Sequence, residues 1–150
     1  MIESHKKGQQ PSIVEDYHLS SSAGATLHEI EQAIADGRTC KVYVVNAHIF
    51  CEGLIDPSYR ELIQAGTINT CDGVNVKRLV KMTSRREIEL FPGPDLFYAL
   101  VQNRQLGDLR HFFLGGSTEV SEGLKRQLGE ENKHYYSPPF VASADDFDYD

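Results

Sequence analysis

Val42-Tyr43-Val44-Val45-Asn46-Ala47-His48 decides how this chain folds. Residues 40–45 are apolar and largely β-branched without strict alternation, which predicts a strand covered on both faces. That strand runs out at Asn46. Asp72 follows 26 positions later in Cys71-Asp72-Gly73, where a second short strand, Ile68 to Cys71, runs out at an Asp-Gly turn. A third candidate, Phe112-Phe113-Leu114-Gly115-Gly116, ends in two glycines. Ligands of open α/β sheets bind just beyond the carboxyl ends of strands. Asn46, Asp72 and Gly115 are therefore expected at the same edge of one sheet.

Working outward, helices fill the gaps between the strands. Thr26 is a plausible N-cap for a helix with Leu27, Ile30, Ala33 and Ile34 on its apolar face, stopped by Gly37. A helix from Ala47 to about Ile55 follows the first strand. Asp56-Pro57 then restarts a helix, with Asp as cap and Pro at its first position; Leu62 and Ile63 bury it and Gly66 ends it. The next helix runs from Gly73 or Val74 to about Met82, with Val76, Leu79 and Val80 inward. Phe91-Pro92-Gly93-Pro94 reads as a loop, and Asp95 opens a helix that buries Leu96, Phe97, Leu100 and Val101. After the glycine pair a helix carries Val120, Leu124 and Leu128 at four-residue steps. Tyr135 begins a final loop. Strands alternating with helices predict an α/β, Rossmann-like fold with a largely parallel sheet. Residues 1–24 lack periodicity and read as a flexible tail that lies on the domain around Ile13 and Val14; residues 25–150 read as one domain.

Composition narrows the function classes. A net charge of -7 and a pI near 5.3 oppose a general nucleic-acid partner, which needs a basic surface. Cys40, Cys51 and Cys71 form no C-x-x-C pair, and reduced thiols in a reducing cytoplasm fit them. No apolar run approaches the length of a membrane span. The dinucleotide fingerprint and the P-loop pattern are both absent. No set of His, Cys and acidic residues has metal-ligand spacing.

Each candidate residue has a plain alternative. Asp72 either makes a turn or caps the next helix, or it is a general base at a strand end, suited to taking a proton from a sugar hydroxyl. Asn46 either caps the helix at Ala47 or offers its amide to a sugar hydroxyl or acetamido group. Gly115-Gly116-Ser117 is either an ordinary strand-to-helix turn or a phosphate cradle. Lys77, Arg78, Lys81, Arg85 and Arg86 place five of the 15 basic residues within ten positions. They form either a solvated helix face or a positive patch that faces a diphosphate.

Together these pieces resemble the bacterial WecG/TagA/CpsF glycosyltransferases. The resemblance runs from about Cys40 to Phe140. It covers the strand ending in Asn46, the Asp56-Pro57 helix, Asp72-Gly73, Gly93-x-Asp95-Leu96, Phe113-Leu114-Gly115-Gly116 and Ser137-Pro138-Pro139-Phe140. It implies Asp72 as the catalytic base. It implies Asn46, Gly73, Asp95, Gly115 and Gly116 as substrate-binding positions, with the glycine pair on the nucleotide side. The implied reaction is inverting transfer of an N-acetylmannosamine-like hexose from a UDP-sugar donor to a polyprenyl-diphosphate-linked acceptor at the membrane surface, in cell-surface polysaccharide synthesis. It implies no metal, cofactor or nucleic acid. The expected setting is the cytoplasm, with peripheral contact at the inner face of the membrane left open. The family continues past the Pro-Pro-Phe segment, so the C-terminal part of its fold is expected to be absent, leaving apolar sheet surface through which a homo-oligomer would form. Two other readings remain: a non-catalytic nucleotide-sugar-binding or regulatory protein derived from the family, and an α/β interaction domain in which Asp72 and Asn46 are only caps.

Overall fold

β2 (Ile68–Cys71) is the strand around which the first part of the chain assembles. In the computed structural model, residues 17–103, 106, 108–141 and 143 are described. Ile13, Val14 and the acidic run from Asp145 to Asp150 lie outside them. The described elements run α1 (Ala23–Ala35), β1 (Val42–Val45), α2 (Ala47–Ile55), α3 (Pro57–Gln64), β2, α4 (Val74–Ser84), α5 (Gly93–Gln102), β3 (His111–Leu114), α6 (Thr118–Leu128) and β4 (Lys133–Tyr136). The fold is α/β and Rossmann-like, with parallel strands. The chain divides into two compact units that meet between Gln102 and Asn103.

In the first unit β1 and β2 pair in parallel, with Val42 opposite Ile68 and Val45 opposite Cys71. The other edge of β2 is taken by the segment around Leu19, which bridges Asn69: the Asn69 amide donates to His18 O at 3.1 Å and the Ser20 amide to Asn69 O at 2.8 Å. This edge explains two corrections. Residues 17–24 are not a flexible tail, since Tyr17 and Leu19 are core residues packed with Val45, Phe50, Ile63 and Cys71. The single sheet carrying all three strand ends is not formed either. β3 pairs with β4, His111 opposite Lys133, in a second two-stranded parallel sheet in the other unit. Gly115 therefore ends a strand of a different sheet from Asn46 and Asp72.

Local chemistry sets the helix ends. α1 begins at Ala23 rather than after Thr26, because Ser22 is its cap and accepts from the Ala25 amide at 3.1 Å. Thr26 is buried inside the helix, its hydroxyl donating to Ser22 O. Gly37, at φ 66°, closes the helix as expected: its amide donates to Ile34 O and that of Arg38 to Ala33 O, the paired bonds of a Schellman end. α3 starts as read, with Asp56 Oδ1 accepting from the amides of Ser58 and Tyr59 ahead of Pro57. α5 begins at Gly93, two residues before Asp95. Residues 133–136, assigned in part to a loop, form β4, because their inward side chains complete a stack: Phe113 lies between His111 and Tyr135. Three residues expected in the core, Ile34, Leu62 and Val120, are exposed. Each sits one step off the buried stripe of its helix, where Ala33, Ile63 and Ser121 are the buried neighbours.

A buried amide ties the first unit together. Asn69 has no exposed surface. Its Nδ2 donates to Tyr17 O at 2.6 Å and Ile63 O at 3.1 Å, and its Oδ1 accepts from the Tyr43 amide at 3.1 Å. A Cβ at Gly66 would collide with that Oδ1, so the α3–β2 turn needs glycine there. Asn69→Ala removes three hydrogen bonds to backbone at a fully buried position, so we expect a loss of about 3 kcal/mol in denaturant unfolding. The exposed Asn75→Ala is expected to stay within about 0.5 kcal/mol of the parent. An Asn69→Ala protein as stable as the Asn75→Ala control would refute this role.

Candidate functional site

The carboxyl ends of β1 and β2 meet in register. Val45 stands opposite Cys71, and the next amide, that of Asp72, donates to Val45 O at 2.9 Å. Asn46 and Asp72 are thus neighbours across a parallel ladder whose strands lie about 4.8 Å apart. The two strand ends that the sequence singled out in this unit come together.

Their side chains are used differently. Asn46 caps α2: its Oδ1 accepts from the Ile49 amide at 3.0 Å. That is the plain alternative for Asn46, and it leaves the side-chain NH2 as the group free of the cap. Asp72 is not a cap. α4 starts from Gly73, at φ 127°, with no side-chain cap bond. The half-buried Asp72 carboxylate makes no hydrogen bond or ion pair with any described residue. A φ in that range favours glycine, and a Cβ at Gly73 would meet nothing within 4 Å, so the backbone here lies open to an incoming group. The uncapped first-turn amides of α4 give this end a partial positive charge.

α5 closes the same edge. The Phe91 amide donates to Cys71 O at 2.9 Å, and a Cβ on Gly93 would lie 3.8 Å from Val44 Cγ1. The start of α5 therefore sits over the ends of both strands. Asp95 lies exposed in its first turn, where a carboxylate suits the helix dipole. The cluster Phe91-Pro92-Gly93, read as a plain loop, was the missed element. Its only sequence signal is the Pro-Gly-Pro punctuation that places a helix start there. Thr70 was missed as well. Its hydroxyl is buried without a partner among the described residues, and strand alternation puts it on the face of β2 that carries Asp72.

Charges around the site are sparse. Burial pushes the Cys71 thiol up, the Asp72 charge adds to that rise, and Lys77 one turn into α4 opposes it. Both charges thus act on the end of β2. Of the other basic residues in the run, Lys81 pairs with Glu87 at 2.6 Å and Arg86 donates to Leu19 O at 3.0 Å. His48 is exposed on α2, 3.8 Å from Glu52. Among the described residues no group of three His, Cys, Asp or Glu side chains is placed to hold a metal, and no helix is long and apolar enough to cross a membrane.

The second unit has its own strand-end turn. Gly115 and Gly116 both have positive φ, 115° and 73°. The Gly115 amide donates to Tyr136 O at 3.0 Å, and Ser137 Oγ to Gly116 O at 2.7 Å. Ser117 caps α6 by accepting from the Val120 amide. A groove of about 780 Å3 opens beside this turn, lined by Gly116, Ser117, Thr118, Ser137, Pro138 and Phe140 among others.

The sequence model of the glycosyl transferase WecG/TagA/CpsF family matches residues 16–147. The chain belongs to this family. Among curated proteins none matches the sequence. As a WecG/TagA/CpsF-family glycosyltransferase it is a transferase by kind, and the paired strand ends of the first unit lie within the matched region.

The Cys71 shift gives a test of the local electrostatics. Cys51 is exposed and Cys71 buried, so alkylation is expected to label Cys51 first and Cys71 last. Because the folded state holds the Cys71 thiol up, its contribution to stability is intact below the ordinary thiol range and is lost as pH rises through the folded value. Asp72→Asn removes a charge that raises the thiol, so Cys71 should alkylate faster in that variant at mildly alkaline pH, read by mass spectrometry. An unchanged rate would mean that the Asp72 carboxylate does not act on the end of β2.

Proposed function

We propose that the protein transfers a hexose derivative, of the N-acetylmannosamine type, from a UDP-sugar to a polyprenyl-diphosphate-linked sugar with inversion. The setting is the cytoplasmic face of the membrane and the product a cell-surface polysaccharide. One observation carries the reading. Asp72 is a half-buried carboxylate at the end of β2, beside Asn46, and neither a cap nor an ion pair with a described residue occupies it. A carboxylate at a strand end with neither use is placed to take the proton of an acceptor hydroxyl.

The chemistry follows from that placement. Asp72 accepts the hydroxyl proton as the acceptor oxygen forms its bond to the anomeric carbon. The bond from that carbon to the β-phosphate oxygen breaks, and its electron pair leaves on UDP. The first-turn amides of α4 and the ammonium of Lys77, one turn into that helix, suit the charge that develops on the leaving diphosphate. The Asn46 amide NH2 is the group for a donor hydroxyl or acetamido oxygen. Gly73 gives the sugar room to approach. Asp95 stands as a candidate contact at the start of α5. In the second unit, Gly115 and Gly116 form by themselves a turn of the kind that accepts phosphates.

Asp72→Asn tests this reading. The amide keeps the shape and cannot accept the proton, so transfer is expected to fall about 10²- to 10⁴-fold. UDP-sugar binding, read as a ligand-induced rise in Tm, should stay near the parent's. Unchanged turnover would remove Asp72 as the base. Donor binding without turnover in the parent itself would favour a nucleotide-sugar-binding protein built on the same fold.

A further inference from the structure

α4 has two faces. Val76 and Val80 are buried in the core of the first unit. On the opposite side Val74, Arg78, Lys81 and Met82 are exposed, followed by Arg85 at the helix end. At 3.6 residues per turn, Val74, Arg78, Lys81 and Met82 fall on one stripe. Two features set this stripe apart. It is locally basic in a chain of net charge -7, and Glu87, paired with Lys81, is the one acid bonded to it among the described residues. It also exposes apolar side chains between its charges: Met82 is 81% and Val74 50% accessible.

We propose that this stripe is a docking surface for an anionic phospholipid membrane. A soluble polyanion requires the guanidinium and ammonium groups only. A bilayer interface takes both parts, with Met82 and Val74 entering the headgroup boundary and Arg78, Lys81 and Arg85 meeting lipid phosphates. Charge complementarity selects the occupant, because the rest of the chain is acidic and would be held off the same surface. The stripe faces outward by construction, since the other side of α4 is fixed in the core. The inference extends the functional reading: α4 starts two residues after Asp72, so docking through it would bring the base to the interface where a lipid-linked acceptor resides.

The test is co-sedimentation of the full chain with phosphatidylcholine vesicles, with and without phosphatidylglycerol. Binding is expected to the anionic vesicles alone and to weaken with salt. Each basic group removed should lower partitioning about fivefold, so Arg78→Gln with Arg85→Gln lowers it about 25-fold. Met82→Ser should also weaken vesicle binding while leaving retention on heparin unchanged. All three positions are exposed, and thermal melts of the variants check their folding. Equal binding to neutral vesicles, or a double variant that binds like the parent, would overturn the proposal. So would heparin retention with no vesicle binding, which would assign the stripe to a soluble polyanion. UDP-sugar thermal shifts on the same variants keep the two readings apart. Vesicle binding with no donor response leaves the surface standing and removes the glycosyl-transfer reading; a donor response without vesicle binding does the reverse.

Discussion

The Asn69 carboxamide bonds to backbone from three segments that lie apart in sequence: Tyr17 before α1, Tyr43 in β1 and Ile63 at the end of α3. Parallel strands cannot be fixed by a tight turn between them, and their register must be set by packing and side-chain bonds. Here the same side chain sits in the ladder and reaches across it. A slip of one residue would bring Asn69 out of reach of the Tyr43 amide and leave buried donors and acceptors unpaired, at a cost of several kcal/mol. The register that places Asn46 beside Asp72 therefore depends on a fully buried residue.

That register settles what each strand end can do. Both Asn46 and Asp72 precede a helix, and both residue types are good caps. Only Asn46 caps. The difference lies in Gly73, whose positive φ turns the chain so that it, and not Asp72, starts α4. With an ordinary residue at 73 the backbone would favour a negative φ, and the carboxylate could swing over the first-turn amides of α4 and be satisfied there. Glycine thus leaves the acid without a cap bond to the helix start beside it, and no other described residue pairs with it.

Much of this was legible in the sequence because local signals and tertiary demands agree. Asp56-Pro57 caps and starts α3, Gly37 closes α1, and the segments at 42–45, 68–71 and 111–114 are strands. Sequence reading fails where a segment lacks its own periodicity and is ordered by what it touches. Residues 17–20 look like tail because only Tyr17 and Leu19 are apolar; they become ordered by adding to the open edge of β2. β4 contains Lys133, His134 and a tyrosine pair, which read as polar until the stack with Phe113 gives one face a place to go. The same edge is not open to the strand at 111–114, which pairs with β4 instead. At the site, Asn46 and Asp72 were visible as strand ends, but their opposite fates turn on one backbone torsion that composition does not encode.

The position of α4 links the site to its surroundings. Eleven residues at about 1.5 Å rise make a rod of about 16 Å, with Gly73 at one end and Arg85 at the other. Val76 and Val80 lock one side of that rod in the core, so its outer stripe cannot rotate without unfolding the packing beneath. A helix lying flat on an interface keeps its first turn within about its own diameter, roughly 10 Å, of the plane. On the two proposals, transfer at Asp72 and attachment through Arg78, Met82 and Arg85 would be geometrically coupled without any moving part. A base near the interface suits an acceptor whose lipid stays in the bilayer while its sugar reaches out, whereas a nucleotide-sugar arrives from water. On the proposed reading the same rod would meet both requirements, with its outward stripe toward lipid and its open N-terminal end toward the aqueous donor.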